Sequence, residues 1–83
     1  MLHRFWFNFV PVSSPSILNL GCGITAYGLN DARLILNDMV FSVYGVREVV
    51  DVIKDVDIST LEENHVRENM GVPVVRGVWF PLI

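Results

Sequence analysis

Three side chains in this sequence have the chemistry to bind a soft metal ion or to act as a nucleophile with its base: His3, Cys22 and His65. Imidazole nitrogen and thiolate are the ligands zinc prefers, and a cysteine beside a histidine is a common arrangement for covalent catalysis. Cys22 alternates with Leu20 and Ile24, however, which is the pattern of a small buried hydrophobe. A second concentration of polar chemistry is Asn64-His65-Val66-Arg67-Glu68-Asn69-Met70-Gly71. Donors and acceptors crowd the least regular stretch of the chain there, and irregular stretches often carry binding residues. Asn64, His65, Arg67 and Asn69 are therefore the ligand-binding candidates. A small-ligand or metal site would gather His65, Arg67 and Asn69 near Cys22 and His3. The plainer role for Asn64 and Asn69 is to satisfy free backbone groups around a short helix.

Two further patterns suggest sites and then weaken on inspection. The acidic run Asp51, Asp55, Asp57, Glu62 and Glu63 invites a calcium reading. Aligned on a calcium-binding loop from Asp55, it has Thr60 where glycine is required and Val66 where the closing glutamate belongs. A solvated strand face followed by carboxylates at a helix start accounts for it, and no metal is assigned. The segment Ile17-Leu18-Asn19-Leu20-Gly21-Cys22-Gly23 resembles the first glycine-rich motif of S-adenosylmethionine-dependent methyltransferases, and Gly21, Gly23 and Ala26 fit G-x-G-x-x-A. Thr25 replaces the third glycine of that family and Asn19 its acidic residue. The glycines also run on into strand-like sequence, and 83 residues cannot supply a doubly wound sheet. Glycines in a twisted strand, leaving room for a bulge or a close neighbour, are the simpler reading, and no cofactor is expected.

The elements that must position these groups follow from periodicity. Leu2 to Val10 alternates, with Phe5, Phe7 and Phe9 on one face and Arg4, Trp6 and Asn8 on the other, which predicts a strand. A Pro- and Ser-rich loop, Pro11 to Ser16, leads to a second predicted strand from Ile17 to about Tyr27. Asn30 or Asp31 is placed to cap a helix, and Ala32, Ile35, Leu36, Met39 and Val40 form its apolar stripe. Gly45 is placed to end it. Val46 to Ile58 predicts a strand with an acidic face, Ser59 and Thr60 begin a short helix near Leu61, and Gly71 and Pro73 end that helix. Val74 to Phe80 predicts a last strand, central or under a partner because both its faces are apolar. The expected fold is α+β: a single domain over residues 1–83, with a four-stranded, mainly antiparallel sheet, one principal helix on one face and the order β-β-α-β-(short α)-β.

Composition sets the wider bounds. Hydrophobic residues make up 52% and charged residues 18% of the 83-residue chain, which excludes a disordered polymer. A folded monomer of this size should expose about 5,000 Å². Six basic and nine acidic residues give a net charge of −3, and the basic ones are scattered singly, so no nucleic-acid footprint is expected. No apolar run reaches the ~20 residues needed to span a bilayer, and the N-terminal apolar run is interrupted too early for a signal peptide. A single cysteine fits a reducing, cytoplasmic setting. So much apolar surface on so small a body points to self-association, and Trp and Arg on sheet faces are good interface formers. Arg4, Trp6, Val75, Arg76 and Trp79 are the expected interface of a homodimer.

His3-Arg4-Phe5-Trp6-Phe7, Gly21 to Tyr27, Asp55 to Leu61, Asn64-His65-Val66-Arg67, Asn69-Met70-Gly71-Val72-Pro73 and Arg76-Gly77-Val78-Trp79 together resemble a group of short, stand-alone bacterial proteins known only as hypothetical. The resemblance implies a complete small protein and transfers no activity and no site residue. The sequence thus predicts a non-enzymatic interaction protein that forms a dimer through an aromatic sheet surface, with partner blocking of the immunity or antitoxin type as one concrete form.

Overall fold

The aromatic alternation at the N-terminus builds β1 (His3–Phe9), which pairs antiparallel with β2 (Cys22–Ala26) in the register Phe5 opposite Ile24 and Phe7 opposite Cys22. The computed structural model describes residues 1–82. With β3 (Val49–Lys54) and β4 (Gly77–Phe80) these strands form one four-stranded antiparallel sheet in the order β3-β1-β2-β4. The α+β architecture is as the periodicity predicts, and the surface exposed, 4907 Å², agrees with the size scaling.

One face of the sheet carries Phe5, Phe7, Phe9, Cys22 and Ile24 against a helix spanning residues 29–44. That helix starts as α1 (Leu29–Ile35), passes through a π-helical stretch at Leu36–Phe41 and closes with one α-turn at Ser42–Tyr44. Ala32, Ile35, Leu36 and Val40 face the sheet as expected, but Met39 is 54% exposed. The π-helical stretch is the reason: its wider turn carries Met39 off the stripe and brings Phe41 round to meet Phe9, with ring centroids 5.9 Å apart. Gly45 ends the helix at φ 91°, a left-handed conformation suited to glycine. Neither Asn30 nor Asp31 is the N-cap: Gly28 holds that position, and Asp31 instead reaches back to accept the Tyr27 N–H.

Other boundaries differ from the expected ones. Ser16 caps a single 3-10 turn, Ile17–Asn19, so β2 begins only at Cys22. β3 is shorter than Val46 to Ile58 because Asp55, at φ 55°, turns the chain away. The expected short helix near Leu61 is reduced to 3-10 turns at Ile58–Thr60 and Arg67–Asn69. β4 is an edge strand rather than a central one.

That irregular stretch nevertheless builds a second core on the other face of the sheet. Val56 and Val66 are buried there with Trp6, Trp79 and Phe80, and Ile58, Leu61 and Met70 pack around them. A bulge makes this possible: Gly23 lies opposite Phe80 and Ile24 opposite Val78, so Trp79 is the extra residue of β4. Strict alternation would split Trp79 from Phe80, whereas the bulge sends both rings to the same side.

Candidate functional site

Trp6 is 4% and Trp79 1% exposed, which corrects the expected aromatic docking surface. The two indole rings lie 5.7 Å apart and are covered by the chain's own 56–80 segment. The apolar excess on the second face was real, but it belongs to an internal core. The glycines of the methyltransferase-like motif explain how the rings fit. A Cβ at Gly21 would lie under 3.0 Å from the Trp6 ring, and one at Gly23 under 3.0 Å from the Trp79 ring. Gly21 and Gly23 are therefore seats for indoles.

The remaining members of the expected interface are Arg4, half-buried on β1, Val75 and Arg76. Val75 is exposed in the turn before β4. Arg76 is engaged within the chain: its guanidinium forms a fork with the Asp31 carboxylate in the first turn of α1, Nε donating to Oδ2 at 2.9 Å and Nη2 to Oδ1. The same guanidinium sits 5.9 Å from the centre of the Tyr27 ring. The Arg76 hydrogen bonds, reinforced by the Tyr27 N–H, hold the Asp31 carboxyl down to about 2. A lowered folded-state pKa stabilises above the ordinary value of 3.8 and loses that contribution as the pH falls through about 2. We expect Arg76→Gln to move the Asp31 carboxyl titration, followed by NMR, up towards 3.8; an unchanged midpoint would disprove the pairing.

The sequence candidates do not converge. Cys22 is fully buried among Phe5, Phe7 and Ile24, and burial pushes its thiol up to about 12. His3 pairs with Ala26 while Cys22 pairs with Phe7, so the two are four residues apart along the ladder, roughly 13 Å at ~3.3 Å per residue. His3 Nδ1 bonds the Asp55 carboxylate at 2.8 Å instead. His65 lies in the 56–80 segment that covers the opposite face of the sheet from Cys22, which separates the proposed nucleophile from its base. Among the described residues no group of three His, Cys, Asp or Glu side chains is placed to hold a metal ion.

Asn64, His65, Arg67 and Asn69 instead organise their own turn. The Glu62 carboxylate accepts the Asn64 N–H at 2.8 Å and the His65 N–H at 2.6 Å, and it meets the His65 ring at 2.9 Å. These contacts, led by the Asn64 N–H, lower the Glu62 carboxyl from its ordinary value. Asn69 Nδ2 donates to the His65 carbonyl, and Arg67 reaches Glu63 at 3.6 Å. The turn is pinned by Val66 in the second core. Three N–H groups there and on the adjoining strands, Arg4 Nε, Arg67 Nε and Trp79 Nε1, are buried without an acceptor among the described residues.

An open cleft lies elsewhere, at the end of the sheet where the loop after β1 meets the last turn of the helix. Val12, Pro15, Ile17, Val43 and Tyr44 form its apolar walls, Ser14, Ser16 and Arg47 its polar part, and its volume is about 690 Å³. Arg47 Nη2 donates to the Val10 carbonyl at 2.8 Å and to Asn19 Oδ1 at 2.6 Å, and Nη1 to Ser16 Oγ at 3.2 Å. Asn19 fixes the loop in turn, accepting the Val12 N–H and donating to the Val12 and Ser14 carbonyls. Arg47 was one of the scattered basic residues in the sequence. The signal that could have singled it out is its position just after Val43 and Tyr44, but only the loop–helix contact shows it. No helix among the described residues is long and apolar enough to cross a membrane. Comparisons with protein-family models, with curated proteins and with solved structures found no match to this chain.

Proposed function

We propose that the protein is a non-enzymatic interaction protein that pairs with a second copy of itself along β3. The observation behind this reading is the difference between the two sheet edges. The outer side of β4 receives a backbone bond from the chain itself, the Gly71 N–H donating to the Trp79 carbonyl at 2.6 Å. Along β3, the backbone hydrogen bonds run to β1, and none reaches its outer side from the rest of the described residues. Val50, the extra residue of a bulge opposite Asn8 and Phe9, is 59% exposed, and Ile53 is 45% exposed. An open strand with exposed apolar side chains is a template for adding another strand, and a second copy supplies an identical one at the same concentration. The interface thus moves from the Trp6 and Trp79 face, now interior, to the sheet edge beside it.

A reducing, cytoplasmic setting fits the single thiol. Holding a larger protein inactive, as small immunity and antitoxin-like proteins do, is the role that the size and the net charge of −3 favour. Light scattering on the eluting protein tests the pairing. We expect about twice 9.4 kDa for the wild type and 9.4 kDa for Val50→Lys, whose charge lies on the exposed edge and touches neither core. A wild-type mass of 9.4 kDa at micromolar concentration would disprove the proposal.

A further inference from the structure

We propose that the Arg47 cleft is a binding site for a small aliphatic carboxylate, with the carboxylate on the guanidinium and the hydrocarbon body along the apolar walls. Three observations carry this, and none of them depends on pairing along β3.

The first is the electrostatics of Arg47. Its three protein acceptors, the Val10 carbonyl, Asn19 Oδ1 and Ser16 Oγ, are all neutral. No carboxylate lies within 4.0 Å of it among the described residues, in contrast to Arg76 and Arg67, which are paired with Asp31 and Glu63. The site holds a full positive charge that the protein positions and does not neutralise. Of the five N–H donors of a guanidinium, three are used here, which leaves Nε–H and one Nη1–H without an acceptor among the described residues.

The second is preorganisation. Arg47 is held by three acceptors and its Cζ lies over the Phe9 ring, 5.9 Å from its centre, while Asn19 locks the loop that carries Val12 and Ser14. A guanidinium fixed in this way loses little freedom when an anion arrives, so more of the ion-pair energy appears as affinity. The third is shape. A cleft of about 690 Å³ with Val12, Pro15, Ile17, Val43 and Tyr44 on its walls suits a compact apolar body with one charged end. A free phosphate or sulfate would satisfy the charge and leave those walls wet, so the chemistry selects a carboxylate with a chain.

Octanoate is the probe, titrated into the full-length protein while backbone amide shifts are recorded by NMR, with octanol and inorganic phosphate as controls. We expect saturable shifts confined to the segments around Val12 to Ile17 and Val43 to Arg47, with octanol and phosphate each binding at least about tenfold more weakly. Arg47→Gln should lose the preference for octanoate over octanol. Because Arg47 also ties the loop, Val43→Glu is the second variant: Val43 is exposed and outside both cores, and a carboxylate there should weaken octanoate about tenfold without changing the fold. Equal binding of octanoate and octanol, shifts that map elsewhere, or no saturation would each overturn the proposal.

Discussion

Alanine at Gly23 should destabilise the protein by about 3 kcal/mol, a large effect for one added methyl group. The cause is specific: a Cβ there would lie under 3.0 Å from three carbons of the Trp79 ring. That ring is 1% exposed and closed in by Val56, Val66 and Phe80, so it has nowhere to move. Trp79→Ala alone should cost about 3–5 kcal/mol, as large-to-small changes in a core do. The informative variant is the double one. With the ring gone, the new methyl group meets open space, and the added cost of Gly23→Ala should fall below about 1 kcal/mol. Urea unfolding of the four proteins measures the coupling. Additive costs would show that Gly23 is needed for its own backbone conformation and not for the indole.

The second large effect lies in the alkaline limb of the stability curve. The Cys22 thiol ordinarily ionises near 9.0, and burial raises it to about 12 in the folded protein. A raised folded-state value means that the unfolded chain gives up the proton first. The stabilisation is therefore complete below pH 9.0 and is lost as the pH climbs towards about 12, at about 1.4 kcal/mol per pH unit. Cys22→Ala sacrifices packing at neutral pH but has no thiol to ionise, so the two proteins should converge in stability above pH 9.0. A stability difference that stays constant across that range would disprove the assignment. The same burial should keep Cys22 unreactive towards thiol reagents until the protein unfolds.

Much of the architecture was legible because it has a period. The alternation of Phe5, Phe7 and Phe9 identified β1 and its core face, and the spacing of Ala32, Ile35, Leu36 and Val40 identified the helix and its buried side. The same rule placed Met39 wrongly, since a π-helical stretch breaks the 3.6-residue repeat and leaves no mark in hydropathy. The close neighbour for which Gly21 and Gly23 leave room was also legible in kind; that it would be a pair of indole rings was not. The second core was hidden for a physical reason. Val56, Ile58, Leu61, Val66 and Met70 come from turns and 3-10 segments, and irregular backbone presents its apolar residues at no fixed interval. Without that cover, Trp6 and Trp79 read as an outer surface. The Arg47 cleft was illegible in the same way, because its walls come from a loop and a helix end nearly thirty positions apart, Val12 to Ile17 and Val43 to Arg47.

The second core also has a consequence for the newly made chain. Translation delivers β1, the Ile17–Asn19 turn, β2 and the helix first, and these hold every buried residue of the helix-side core. Trp6 emerges with them, but Val56, Val66, Trp79 and Phe80, which enclose it, come last. Until the ribosome has released that final third, the nascent sheet presents an uncovered indole and one empty glycine seat, at Gly23, a surface suited to a chaperone.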